Sequence, residues 1–524
     1  MFERIVRLCS ALLVTTFITG GASAAELTIG SRATPTIDPH FLFLTSNVAY
    51  NSHIYGLLVA RDENARRVPD LATSWEAIDD TTWEFKLREG VKFHDGSEFT
   101  AEDVVFSIER IPNVPNNPNP YTGTIRTIAG MEIVDSHTIR FKTDGVNPYL
   151  PDDFTEVIIV SKKAAEGATT EDFNSGKAAI GTGPYKFSEH VHGERLVLER
   201  HDDYWGGTPT WDRVTFQIIS DDAARVAALL GGDVDMIDFV PPTDIGHLEK
   251  NADINVFKRP SDRIIYFFPN VRHDTSPYLT DRDGDPLDKN PLRDRRVRKA
   301  ISMGINRDAI ASKVMEGLAA PAGQTVPEGW FGYNPELEVE PYDPEGAKKL
   351  LAEAGYPDGF GLTIHGPNDR YVNDSKICQA VGQMLARIGL DIKVDTMPKS
   401  VFFSKVKVPN VEFSFGLLGW GNSPYPASGH IGLLHSYDKD KGAGAYNRAG
   451  YANPAYDAAI QEAVSTVDDA ERERREQAAL KIAMDDVALV PMHVQFTIAA
   501  ARKGLDFVPR ADESTFAMNA TPVQ

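Results

Sequence analysis

Cysteine is almost absent from this chain: 524 residues carry two. One of them, Cys9, lies in a segment that reads as an export signal. Only Cys378 then remains, so no intrachain disulfide is possible, and stability has to come from the size of the core. Long apolar runs are missing too. Beyond residue 24 nothing approaches the roughly 20 apolar residues that span a bilayer. Positive charge is scarce. Lys and Arg number 54 against 75 Asp and Glu, a formal net charge of −21, which argues against nucleic acid or an anionic membrane as a partner. Catalytic and metal signatures are absent as well. There is no G-x-S-x-G elbow and no triad pattern. The pairs His430/His435 and His190/His192 match no zinc spacing and read as surface or structural histidines. The acidic run Asp281-Arg282-Asp283-Gly284-Asp285 has its glycine at the fourth position, where a calcium loop needs it at the sixth, so it reads as a solvated turn.

The chain opens on Arg4 and Arg7, an apolar stretch from Leu8 to Ile18, and the small residues Ala22-Ser23-Ala24. That is the pattern of a cleaved secretory signal, with cleavage expected after Ala24. Val6-Arg7-Leu8 before Cys9 form no lipoprotein box. The mature chain of about 500 residues is long enough for more than one lobe.

Residues Leu71 to Ser107 organise the rest. Thr82 to Leu87 alternate apolar and polar, as a half-buried strand does. Asp79-Asp80 and His94-Asp95-Gly96 are turn signals, with Gly96 free to take a positive φ. Thr100 precedes an apolar-periodic run with Asp103 three residues on, the place of Glu in a capping box. The stretch predicts strand, turn, short strand, turn, helix. Further on, Leu27–Gly30 reads as an opening strand. A hairpin is expected about Asp135-Ser136-His137, from Met131–Val134 to Thr138–Lys142. Ala223–Leu230 reads as a short helix ended by Gly231-Gly232. Leu362–His365, 374–388 and Leu390–Val394 read as β-α-β. Gly181-Thr182-Gly183-Pro184 is not a phosphate loop, because the spacing is wrong and Pro184 lacks an N–H. The basic cluster from Arg293 to Lys299 reads as the solvated face of a helix. Ser414–Leu418 leads to a turn-rich loop, Gly419-Trp420-Gly421-Asn422-Ser423-Pro424.

In combination, Trp75, W-x-F-x-L-R, F-H-D-G, F-T-A-E-D-V-V-F-S, I-D-P-H at residues 37–40, and G-T-G-P-Y-K-F at 181–187 resemble extracytoplasmic solute-binding proteins of family 5. These are the dipeptide- and oligopeptide-binding subunits of ABC importers. The resemblance covers nearly the whole mature chain. It implies an α/β, two-lobe periplasmic-binding-protein fold of type II, with a hinge between the lobes and an extra subdomain in lobe I. The boundaries expected are a signal at 1–24, lobe I at 25–268 with the extra subdomain at about 57–180, lobe II at 269–492, and a return to lobe I at 493–524. The chain is expected to cross between lobes near Tyr266–Asn270 and His493–Phe496.

The resemblance further implies a periplasmic monomer that binds a small peptide or peptide-like solute. It delivers the solute to inner-membrane permease subunits associated with two ATP-binding subunits. No enzyme activity, cofactor, metal or nucleic acid is expected. Peptide binders of the family hold the α-ammonium with an Asp at the position of Ser423; here that charge is missing, which puts a free-amine peptide in doubt. Arg370 looks like the arginine that takes the ligand carboxylate; alternatively, Asp369 neutralises it. Trp420 either stacks on ligand or plugs the hinge-side core, with Gly421 and Asn422 beside it in the expected site. An opine, a sugar conjugate or a nickel chelate on the same scaffold is the alternative ligand, and a secreted hydrolase is the remote one.

Overall fold

The computed structural model describes residues 25–422 and 425–523. The expected signal and its cleavage point, Cys9, and Ser423 with Pro424 lie outside the described residues.

The first lobe opens on β1 (Glu26–Ser31), the strand expected there. The extra subdomain is built from β2 (Ala72–Asp79), β3 (Thr82–Leu87), α1 (Ala101–Arg110), β4 (Ile128–Asp135) and β5 (Thr138–Thr143), the strands forming an antiparallel sheet in the order β2-β3-β5-β4. Its core follows from the strand period. Trp83 and Phe85 are buried, and Phe85 meets Phe141 and Phe154 edge-on, with ring centroids 5.4 and 5.2 Å away. Glu84, on the face expected to be solvated, is buried instead, because Lys86 and Arg140 pair with it at 2.7 and 2.8 Å. The capping box forms with Asp in the place of Glu: the Thr100 N–H donates to Asp103 Oδ2 at 2.9 Å. The short strand expected between the turns shrinks to a single bridge, Lys92 to Glu98.

Two motifs far apart in the chain, at residues 93–96 and 181–184, are clasped together. His94 Nε2 donates to the Gly183 carbonyl at 3.1 Å, and its Nδ1 accepts from the Gly181 N–H at 3.3 Å. Burial pushes the His94 imidazole down to about 4, so this neutral tautomer persists at physiological pH. Gly181 is required for the clasp: a Cβ there would lie 2.0 Å from the Ile54 carbonyl oxygen.

The chain then continues through β6 (Tyr185–Val191), β7 (Arg195–Arg200), β8 (Arg213–Ile218), α2 (Asp222–Gly231), β9 (Met236–Ile237) and β10 (Ile254–Pro269). The second lobe adds β11 (Leu279–Thr280), α3 (Arg295–Met303), β12 (Ala319–Pro321), α4 (Pro344–Glu353), β13 (Gly361–Pro367), α5 (Asp374–Arg387), β14 (Asp391–Met397), β15 (Phe415–Gly421), α6 (Pro454–Val464) and α7 (Asp469–Asp485). β16 (Val490–Arg502) returns. These strands form one 12-stranded sheet, β6-β7-β8-β1-β9-β16-β10-β15-β13-β11, with β12 on β16 and β14 on β13. β13 and β14 are parallel, as the β-α-β reading expects.

The apolar run in β10 reads as continuous because both of its faces are covered. Ile265 and Phe267 enter a core with Val297, Leu351 and Val381, while Ile264, Tyr266 and Phe268 enter a second core with Leu434, Tyr456 and Leu480. The chain end completes the first lobe, where Ala499, Leu505 and Phe507 pack with Leu27 and Ile29.

Two expectations are corrected. Arg298 does not belong to a solvated face: it is buried, with its guanidinium donating to the carbonyls of Leu292, Arg293 and Val487 and pairing with Asp486 at 3.0 Å. Residues Gly419–Gly421 are not loop. They continue β15, paired with Arg263–Ile265, because the neighbouring strand supplies partners that no local pattern announces.

Candidate functional site

Three strands set the site. β10 and β16 run side by side in the middle of the 12-stranded sheet, and β15 flanks β10. The register of β10 on β16 shifts between Pro260 and Ile264, and such a shift lets a strand bend and turn its side chains.

The expected site residues fall on this frame as follows. Gly421 pairs with Arg263 and faces the Asp262 carboxylate; a Cβ on it would come within 3.3 Å of Asp262 Oδ2. Asn422 is buried, and its side-chain amide donates to the carbonyls of Asp262 at 2.8 Å and Thr325 at 3.2 Å, which ties β15 to β10 and to the second lobe. Trp420 is half-buried against Gly429 and Gly432, with its ring centroid 5.2 Å from that of Tyr446. Its indole N–H is buried and has no partner among the described residues. Ser423 lies outside them.

Arg370 is exposed on the loop after β13 and has no ion pair among the described residues. Its guanidinium sits 5.0 Å from the centroid of the Tyr371 ring. Asp369 does not neutralise it; that carboxylate accepts the Lys399 backbone N–H at 2.6 Å. Arg370 opens into a cavity of about 270 Å³ with walls from both lobes: Arg32 and Phe239 on one side, Arg370 and Tyr371 on the other, and Gln495 and Thr497 of β16 between them. Arg263 also lines it, already paired with Glu513 at 2.8 Å. Two buried polar atoms on residues that line it, Gln495 Oε1 and Thr497 Oγ1, have no hydrogen-bond partner among the described residues. Buried polar groups are rarely left so without a ligand or water to satisfy them.

Sequence reading did not single out Arg32, Arg263, Gln495, Thr497 or Glu513. They come from four segments spread over the chain, so no spacing links them. The one local signal is a charged residue next to an apolar run, Arg32 after β1 and Arg263 before Ile264–Phe268.

A second cavity, of about 240 Å³, also joins the lobes, with Arg67, Tyr149 and Asp152 of the first facing Trp330, Tyr425 and Arg472 of the second. Tyr149 stacks on Tyr425 with centroids 4.4 Å apart, and its hydroxyl donates to Glu476 Oε1 at 2.5 Å. Burial pushes Glu476 up to about 8 and pushes His430 down to about 4. Both shifts favour the neutral forms, which works against an ion pair across their 3.9 Å contact. A carboxyl raised in the fold stabilises fully below its ordinary value of 4.5, and that stability is lost as pH rises through about 8. Glu476→Gln keeps the acceptor for Tyr149 and removes the titration. In urea melts from about pH 5 to about pH 9, the wild type should lose on the order of 3–5 kcal/mol relative to the variant. Parallel pH profiles would show that Glu476 is ionised throughout.

Among the described residues no group of three or more His, Cys, Asp or Glu could hold a metal ion, and no helix is long and apolar enough to cross a membrane. The comparisons with known proteins agree with one another. The chain is 29% identical over 443 residues to the dipeptide-binding protein of Escherichia coli strain K12, covering 78% of each chain. It is 28% identical over 495 residues to the glutathione-binding protein of Escherichia coli O1:K1 / APEC, covering 92% of this chain and 91% of that one. The fold superposes on HbpA2 from Haemophilus parasuis with a TM-score of 0.81 at 24% identity, over 95% of this chain and all of the other. The profile of the bacterial extracellular solute-binding proteins, family 5 (middle region), matches residues 66–441. With more than half of its length so matched, the chain belongs to the bacterial extracellular solute-binding proteins, family 5.

Proposed function

We propose that this protein is the substrate-binding subunit of an ABC importer for peptides or peptide-like solutes. It takes its ligand in the cavity shared by the two lobes and hands it to inner-membrane permease subunits served by two ATP-binding subunits. It acts as a periplasmic monomer, exported by residues 1–24, without catalysis of its own. Lobe I comprises residues 25–268 and 493–524 and lobe II residues 269–492, with the chain crossing between them and bending near Tyr266–Asn270 and His493–Phe496, which lie on the paired strands β10 and β16 and just beyond. Hinge closure of this kind is the general mode of periplasmic binding proteins. One observation carries the reading: an arginine with no carboxylate partner among the described residues, Arg370, opens into a cavity walled by both lobes.

Arg370 holds a ligand carboxylate, for which its planar fork is the fitting group. Ser423 stands where the relatives' ammonium anchor is expected, so the preferred solute has an acid group and no free α-amine. N-blocked peptides, or opines with a substituted amine, fit that description. Calorimetry with an acetylated and a free-amine dipeptide series tests it, alongside mass spectrometry of whatever co-purifies. Wild type should favour the acetylated series, and Ser423→Asp should shift preference toward free amines by restoring a counter-charge. Tight wild-type binding of free-amine dipeptides, unchanged in the variant, would overturn the assignment.

A further inference from the structure

We infer that the cleft is built for a solute with two acid groups, one held by each lobe, with Arg32 as the second anchor. The inference rests on the carboxylate role of Arg370 and extends it across the cleft.

Arg32 follows the last residue of β1 and is exposed to the same cavity as Arg370. Its guanidinium lies 4.1 Å from the centroid of the Phe239 ring. Phe239 adopts a φ of +49°, a left-handed conformation that a bulky residue takes only when its surroundings hold it there. That backbone places an aromatic face beneath Arg32, just as Tyr371 lies beneath Arg370 on the other lobe. A guanidinium over a ring keeps its N–H edges free for a carboxylate.

The carboxylates near Arg32 are committed elsewhere. Asp222 pairs with Arg225 at 2.6 Å. Asp238 is buried, accepts from Ser31 Oγ at 2.7 Å and from the Arg32 backbone N–H, and makes no ion pair with the Arg32 guanidinium among the described residues. Glu513 is taken by Arg263, and Asp369 by the Lys399 N–H. Among the described residues, each lobe therefore presents one unpaired cation to one cavity. Closing the lobes brings like charges together, which costs free energy unless an anion lies between them. A ligand with two acid groups removes that cost at both ends and so couples binding to closure. Gln495 and Thr497 line the same cavity, and Gln495 Oε1 and Thr497 Oγ1 offer an acceptor and a hydroxyl without partners among the described residues. An amide linkage satisfies both. The ligand class is a dicarboxylate joined through an amide.

Three probes of one size test this: acetyl-alanyl-glutamate with two carboxylates, acetyl-alanyl-glutamine with one, and its C-terminal amide with none. Calorimetry is run on wild type, Arg32→Gln and Arg370→Gln; both side chains are exposed, so both variants should fold, and circular dichroism checks it. Wild type should bind the two-acid probe about tenfold or more tighter than the one-acid probe. Arg32→Gln should abolish that difference and leave the one-acid probe unchanged, while Arg370→Gln should weaken both acid probes. Equal wild-type affinity for the two acid probes, or an equal loss on every probe in Arg32→Gln, overturns the second anchor alone. No effect of Arg370→Gln on any probe overturns the underlying carboxylate reading, and so does a wild type that binds none of the three.

Discussion

Replacing Arg370 by alanine should weaken binding of an acid-bearing ligand by about 30-fold or more. The side chain is exposed and has no ion pair among the described residues, so its removal costs the free protein little. The loss is confined to the complex. Lobe closure takes the ligand carboxylate out of water, and a buried charge left without its partner costs about 2–5 kcal/mol. Arg370→Lys should recover only part of this, because an ammonium restores the charge without the two-pronged fork. Calorimetry on an acetylated dipeptide and its C-terminal amide separates the two effects. The acid form should lose affinity and the amide form should not. An unchanged acid affinity would move the carboxylate site to another cation.

Arg110→Ala should destabilise the fold by about 3–5 kcal/mol, the cost of breaking a buried ion pair from one side. Asp38 is fully buried, and Arg110 grips both of its oxygens at 2.8 and 2.7 Å. Thr170 adds a third bond at 2.7 Å, and Arg110 also donates to His40 Nδ1 at 3.1 Å. Burial by itself would raise the Asp38 carboxyl; the bonds and charge of Arg110 overcome that and hold it below its ordinary value of 3.8. A carboxyl lowered in the fold contributes stability that is present above its ordinary value and lost as pH falls through the folded one. The deficit of Arg110→Ala should therefore be full at neutral pH and shrink as pH falls toward and through the ordinary value of 3.8, because the stranded buried Asp38 takes up a proton above that value and the paired one only below it. Adding Asp38→Asn to Arg110→Ala should recover part of the loss at pH 7, since no charge is then stranded. Urea midpoints for wild type and the two variants measure this. A loss under about 1 kcal/mol for Arg110→Ala would mean that water reaches Asp38 when the arginine is gone.

The same pair explains why the family signature is readable at all. The I-D-P-H turn at residues 37–40 and the end of α1 at Arg110 are joined by one buried ion pair. The F-H-D-G turn and the G-T-G-P segment are joined by His94. Each motif is the visible half of a contact whose other half lies far along the chain.

The sequence by itself determined the elements whose cause is local. The alternation in Thr82–Leu87, the capped start at Thr100, the stop at Gly232 and the β-α-β unit of the second lobe depend on period and on single-residue backbone preference. Those are properties of a few neighbouring residues, and the resemblance built on them extends to the two-lobe fold. Only the tertiary structure decided which charges are free. Arg298 belongs to a basic run yet is buried on backbone carbonyls, and Asp369 adjoins Arg370 yet turns to Lys399. Arg32, Gln495 and Arg370 share one cavity although hundreds of positions separate the first from the others. An ion pair or a cavity wall depends on distance in space, and pairing between strands remote in sequence sets that distance.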